Sequence, residues 1–162
     1  MAQIPQMNEK PAGMTPIVKT VVRFAMGIVF IFGWYIIIYG HLTPGGGFAG
    51  GTILACGYVL LTLAFGKDVS LGKMTDMAAS VLDNTCALLF VVIPITGIAF
   101  GYFFLNYFYH GEPFNLVSAG AIPVYNILIG LKVTSSLFAI FIALSIFGRF
   151  VSTLVEESEE EE

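Results

Sequence analysis

Gly40-His41-Leu42-Thr43-Pro44-Gly45-Gly46-Gly47-Phe48-Ala49-Gly50-Gly51 lies between two long apolar runs. Five glycines and one proline fall within residues 44–51. That density is foreign to an ordinary helix interior, where glycine costs about 1 kcal/mol and proline about 3 kcal/mol relative to alanine. Yet the apolar pattern resumes at once with Phe48, Ile53 and Leu54. The stretch therefore predicts a helical hairpin whose turn spans residues 40–45 and whose second helix starts within the glycines. Thr43 can cap that helix, and Pro44 can occupy its first position, where a missing N–H costs nothing.

Composition sets the environment of this hairpin. Of the 162 residues, 57% are hydrophobic and only 11% are charged. A water-soluble domain carries about 25% charged residues, so this chain cannot cover a surface facing water. Its apolar residues fall into runs of bilayer-spanning length, which predicts an all-α membrane protein with four transmembrane helices. The net charge of −4 is misleading, because six of the eleven acidic residues lie in the terminal run 156–162. Without that run the chain is near neutral and has no electrostatic footprint for nucleic acid. Cys56 and Cys86 sit in or beside apolar runs without CxxC or Cys/His spacing. They read as small packing residues rather than a disulfide or a metal site.

Residues 1–16 form a polar N-terminal tail with Pro5, Pro11 and Pro16. The tail lacks the short apolar core and cleavage site of a signal peptide. The transmembrane domain spans residues 17–150, and 151–162 form an acidic C-terminal tail expected to be solvated and disordered. The first span covers 17–39, with Trp34, Tyr35 and Tyr39 suited to an interfacial aromatic belt. The second covers 46–65. There Gly46/Gly50 and Gly47/Gly51 form overlapping GxxxG pairs that let another helix approach closely. Residues 66–82 form a polar connection whose Met74, Met77, Ala78 and Val81 keep helical spacing, so part of it can lie along the interface or extend the next helix downward. The third span, 85–109, is interrupted by Pro94, Gly97 and Gly101, which predicts a kink. After a loop at 110–123, the fourth span covers 124–147. Lys10, Lys19, Arg23, Lys67, Lys73 and Arg149 all fall on one side of this layout, and the two opposite loops contain no Lys or Arg. The positive-inside rule then places both termini in the cytoplasm.

Lys132 is the one charge deep within a span, eight residues in from Val124. An ammonium at that depth costs about 3 kcal/mol on insertion scales. One reading is a lysine in a polar pathway, paired with a carboxylate from another helix or subunit and able to exchange protons. The other is a snorkelling lysine or a structural ion pair at a subunit contact. Ser135 and Ser136 follow one turn later. Asp83 and Asp76 can form an ion entrance, or simply serve the start of the third span by complementing a helix N-terminus. His41 can exchange protons near neutral pH, or bond backbone groups of the turn. His110 and Glu112 are expected to be solvated. The glycine stretch lacks GxxxxGK[ST], so it is no phosphate loop. No catalytic set, haem motif or metal-ligand spacing is present, so the chain is not catalytic alone.

The glycine block of residues 40–51 closely resembles the signature of the B subunit of Mrp-type multisubunit Na⁺/H⁺ antiporters, the MnhB family. Ile122-Pro123-Val124-Tyr125-Asn126-Ile127-Leu128-Ile129-Gly130-Leu131-Lys132-Val133 resembles that family's last span, in its archaeal form above all. With the four-span layout, the resemblance covers residues 16–150. It implies a small integral subunit that works only beside large antiporter-like subunits and other small membrane subunits, exchanging Na⁺ for H⁺ in the plasma membrane. Related modules belong to archaeal membrane-bound hydrogenases and sulfur-reducing complexes, so hydrogenase-like redox subunits are further implied partners. Lys132, Asp83 and His41 are the ion-pathway candidates, and the resemblance extends to Lys132 and to the hairpin that carries His41. Pro44, Gly45, Gly46, Gly47, Gly50 and Gly51 are the hairpin and helix-packing residues. The chain itself is expected to carry no cofactor and no metal, with Na⁺ and H⁺ as transported ions. A purely structural role, holding larger subunits together, is the competing reading.

Overall fold

The computed structural model describes residues 14–66, 74–103 and 118–160, with isolated residues between them. Expectations for residues 1–13, Lys67, Asp68, Lys73, Asn106, Tyr107, Tyr109 and His110 lie outside the described residues. The described chain is helical: α1 (Pro16–Ile38), α2 (Gly47–Phe65), α3 (Asp76–Thr96), a 3₁₀ turn (Gly97–Phe100), and α4 (Ile122–Glu160). Four of these helices are long and apolar enough to cross a bilayer.

Local signals explain most helix ends. Pro16 opens α1, where its fixed φ suits the first turn. Thr75 caps α3 by accepting the amide of Ala78 at 3.1 Å. Pro94 lies inside α3, which tightens to the 3₁₀ turn at Gly97 and stops at Gly101, whose φ is 116°. The sequence predicts a kink here within a span running to residue 109; instead the helix ends, and residues 101–103 are not helical, because Pro94, Gly97 and Gly101 together break the i→i−4 ladder.

The turn between α1 and α2 differs from the sequence expectation in detail. The cap of α2 is Gly46, not Thr43, and Pro44 precedes the helix instead of opening it. Thr43 turns its hydroxyl backwards, onto the carbonyl of Tyr39 at 3.1 Å, and so satisfies the end of α1. Gly46 has φ 114° and ψ −170°, a conformation essentially reserved for glycine, and it is what aims the chain into α2.

Two other boundaries move. α3 starts at Asp76 rather than residue 85, the extension that the helical spacing of Met77, Ala78 and Val81 allowed, and Thr75 supplies the cap that fixes where it begins. Asp83 therefore sits two turns inside a helix rather than at its start. α4 continues as helix through Glu160, into the acidic run expected to be disordered. No proline and no glycine follow Gly148, and glutamate is a good helix former.

α1 and α2 pack antiparallel, with Gly33 against Leu54, Ile37 against Gly50 and Phe30 against Gly57. α2 and α4 run parallel, with Gly47 against Asn126 and Ile129, and Gly51 against Gly130 and Val133. α3 lies antiparallel on the far side of α4, where Phe90 meets Tyr125 edge-on at 5.1 Å. Ile37 is fully buried, wedged between Gly50 of α2 and Gly130 of α4. A second cluster at the opposite end joins Met74, Ala79, Phe138 and Ile142, with Tyr58 and Phe141 packed on it.

The glycines at these crossings leave no room for a side chain. A Cβ on Gly51 would lie 2.5 Å from the carbonyl oxygen of Gly130 and 2.9 Å from Cβ of Val133. A Cβ on Gly27 of α1 would meet nothing within 4 Å. Gly51→Ala should therefore destabilise the bundle by about 1–3 kcal/mol through overpacking. Gly27→Ala should be neutral or stabilising by up to about 1 kcal/mol from helix propensity. Thermal denaturation of the two variants in mild detergent checks the contrast; equal midpoints would remove the close-packing account.

Candidate functional site

Lys132 lies ten residues into α4 and Asp83 seven residues into α3. At 1.5 Å per residue these depths are about 15 Å and about 10 Å from opposite ends. The antiparallel packing of α3 on α4 brings them face to face. Lys132 Nζ donates to Asp83 Oδ1 at 2.9 Å. Ser136, one turn beyond Lys132 and so on the same face, donates to the same oxygen at 2.5 Å. The partner of Lys132 is thus a carboxylate of its own chain, where the sequence left open another helix or another subunit. Asp83 is not complementing a helix terminus; it neutralises a cation within the span.

The pair is not sealed. The side chains of Lys132 and Asp83 remain 43% and 30% exposed at a depth where this chain offers lipid or a neighbour. Asp83 Oδ2 accepts no hydrogen bond among the described residues, so half of the carboxylate is open to a further donor or cation.

The neighbouring hydroxyls separate into two roles. Ser135 is fully buried and donates to the carbonyls of Leu131 at 3.1 Å and Lys132 at 2.9 Å. Thr134 donates to Gly130 O at 2.7 Å and across the helix crossing to Gly51 O at 3.1 Å. That second bond links the glycine contact to the helix carrying Lys132, and sequence inspection missed it. Asn126 was missed as well. Its side chain packs against Gly40 and Gly46 and so fills the underside of the turn. A polar residue at the first turn of a span, opposite a glycine turn, was the available signal.

His41 lies in the turn, away from the pair. Both of its ring nitrogens are shut off from solvent and find no hydrogen-bond partner among the described residues. Pro44 and Gly45 are exposed in the same turn, while Gly46, Gly47, Gly50 and Gly51 are buried. Among the described residues no group of three or more His, Cys, Asp or Glu side chains could hold a metal ion. At the end carrying the start of α1, Lys19 and Arg23 approach the Phe65 ring to 6.0 Å and 5.5 Å.

Four bilayer-length helices around one lysine–carboxylate pair define a small multi-pass membrane protein with charge held inside its span. The model of a family described as a domain related to the MnhB subunit of Na⁺/H⁺ antiporters matches residues 17–150, and the chain belongs to that family. It is 31% identical over 159 residues to an uncharacterised protein of Methanocaldococcus jannaschii, covering 90% of this chain and 58% of that protein. It is 41% identical over 49 residues to a Staphylococcus saprophyticus protein named as antiporter subunit mnhB2, covering 30% of this chain and 35% of that one. Among solved structures it is similar to a chain of the membrane-bound sulfane sulfur reductase, an archaeal respiratory membrane complex. That match has a TM-score of 0.69 and 30% identity, over 83% of this chain and 61% of the other. The chain thus spans little more than half the length of its archaeal relative.

The geometry predicts a non-additive pair. Lys132→Met leaves the Asp83 carboxylate charged at bilayer depth with only Ser136 beside it, at a cost of about 3 kcal/mol. Lys132→Met combined with Asp83→Asn removes both charges and should recover most of that loss. Detergent melting midpoints of the single and double variants measure the coupling. A double variant as unstable as the sum of the singles would mean that the two side chains do not interact.

Proposed function

We propose that this chain is a small integral subunit of an Mrp-type cation/proton antiport module, and that its Lys132–Asp83 pair lies in or beside the path of Na⁺ or H⁺. The observation that carries the proposal is the pair itself: a costly ammonium at bilayer depth, matched to one carboxylate oxygen and still partly open. A pair kept only for stability gains little from charge, because well-packed apolar residues of similar volume are often as stable. Ionisable groups within spans are costly, pair with one another, and mark ion pathways and proton relays.

The host complex belongs to the same proposal. The chain sits in the cell membrane with both termini in the cytoplasm, as the positive-inside rule requires. It assembles with large antiporter-like subunits and other small membrane subunits. The setting is an archaeal respiratory complex, such as a membrane-bound hydrogenase or a sulfur reductase, and hydrogenase-like redox subunits are then neighbours. The likeness to the sulfane sulfur reductase chain supports this setting over a stand-alone antiporter. Na⁺ and H⁺ are the transported ions, and the chain holds no cofactor of its own. His41 is a second candidate for proton exchange, because neither ring nitrogen is occupied within the described chain.

One observation favours a purely structural subunit instead. The pair joins α3 to α4 within a single chain, so it can act as a staple without moving an ion. The two readings separate in native membranes. Purification in mild detergent should bring large antiporter-like subunits and metal-cluster subunits in stoichiometric amounts. In vesicles holding the Lys132→Ala complex, Na⁺-dependent collapse of a pH gradient should fall to background while subunit composition stays unchanged. Intact assembly with intact transport would overturn the path role, and lost assembly would favour the staple.

A further inference from the structure

One groove runs between α3 and α4, and the Lys132–Asp83 pair crosses it. Towards the start of α3 the groove opens into a cleft of about 400 Å³, whose polar lining is Ser80, Asp83, Ser135 and Ser136. Beyond the pair it continues as a cleft of about 290 Å³. That second half is lined by Ala87, Phe90, Val91, Leu128 and Ile129, with Cys86 and Lys132 nearest the pair. The two halves share the same pair of helices and differ in chemistry.

Water distinguishes them. A cavity takes up water when it offers two to four polar partners, and an apolar cavity of comparable size stays dry. The first half supplies the hydroxyls of Ser80 and Ser136 and the unoccupied Oδ2 of Asp83, and Ser80 has no hydrogen-bond partner among the described residues. Among the described residues the second half supplies no polar side chain beyond Lys132 and the Cys86 thiol. Hydroxyl and carboxylate oxygens are hard donors, suited to a small hard cation rather than a soft metal. The ammonium of Lys132 stands at the boundary, on the same carboxylate that an arriving cation would use.

We propose that the α3/α4 groove is a half-channel: water and a small monovalent cation reach Asp83 from the Ser80 side and stop at Lys132. The inference rests on the reading that the pair lies in an ion path, and it adds where the ion enters and what stops it. The open half faces the end of the bundle where α3 begins, the end that carries Lys19 and Arg23, so the inlet is cytoplasmic. Passage further along the groove requires Lys132 to leave Asp83, since the continuation offers an ion no side-chain oxygen among the described residues.

Cysteine accessibility in the assembled complex tests this. Ser80→Cys, Ala139→Cys and Ala87→Cys are placed singly in a background of Cys56→Ala and Cys86→Ala. Native membrane vesicles are then treated with a charged, membrane-impermeant thiosulfonate. Thiolate formation needs water, so residues 80 and 139 should react about tenfold or more faster than residue 87. They should do so in inside-out vesicles only. Sodium chloride, compared with N-methylglucamine chloride, should slow modification at residue 80, and Asp83→Asn should abolish that protection. Equal rates at residues 80 and 87 would overturn the divided groove, and so would no reaction at 80, which would mean that a neighbouring subunit fills the cleft. Absence of sodium protection would overturn the cation site. Divided accessibility with transport untouched by Lys132→Ala would remove the path reading while leaving a hydrated cleft. Uniform accessibility with transport abolished would do the reverse.

Discussion

An ammonium within a bilayer must find an oxygen to pair with, and where Lys132 can find one is decided by glycine. α4 is drawn onto α2 at Gly51 and Gly130, close enough for Thr134 to donate to Gly51 O. Gly130 and Thr134 therefore define the face of α4 turned towards α2. Residues two positions further along a helix lie about 200° round it. Lys132 and Ser136, offset by two from Gly130 and Thr134, must face the other way. That is where α3 lies and where Asp83 waits. The polar pair and the tight crossing are one arrangement read from opposite sides of α4. Ile37 holds it from a third direction by wedging between Gly50 and Gly130, so α1, α2 and α4 meet at a single point of close contact.

Much of this was legible in the sequence because it depends on periodicity within one helix. The spans follow from apolar runs, the close crossing from the GxxxG spacing, and the importance of Lys132 from its cost in hydrocarbon. The partner of Lys132 was not legible. It depends on the register between α3 and α4, which are separated by a long connection, and no periodicity reports the register of one helix against another. Asp83 was further obscured by the late expected start of the third span, which made it look like a terminal residue. Thr75 is the stronger signal, but a cap is a local hydrogen-bonding feature and hydropathy does not register it. Ser135 and Ser136 illustrate the same limit at short range. Adjacent in sequence, they point about 100° apart on a helix, so one is spent on backbone carbonyls and the other reaches Asp83.

The turn at residues 39–46 shows how propensity can be right about a place and wrong about a role. Threonine is a good cap and proline a good first residue, yet neither is used that way here. The chain must reverse within a few residues and deliver Gly47 directly against Asn126 and Ile129, where a Cβ would collide. Only a backbone in the φ 114° region makes that reversal, so the capping position falls to Gly46, and the Thr43 hydroxyl is left to satisfy α1. The glycines thus do two jobs in sequence: Gly46 bends the chain, and Gly47, Gly50 and Gly51 let it pack.

The outer surfaces of the bundle are unequal, and the inequality bears on how the chain is used. The outward face of α1 presents Ile17, Val21, Phe24, Ile28 and Ile31, all exposed and all apolar, a surface that hydrocarbon solvates without loss. The α3/α4 side presents Ser80, Asp83, Ser136 and Lys132 along one groove. Hydrocarbon cannot solvate that side, because partly exposed charges and hydroxyls at bilayer depth need water or a polar neighbour. One carboxylate and one ammonium neutralise each other but do not make a continuous route across a membrane. Among the described residues the continuation of the groove past Lys132 is apolar and adds no further ligand to the pair. A subunit with one lipid-compatible side and one polar, half-finished side is built to be completed by a neighbour, which is the physical reason to expect it inside a larger assembly.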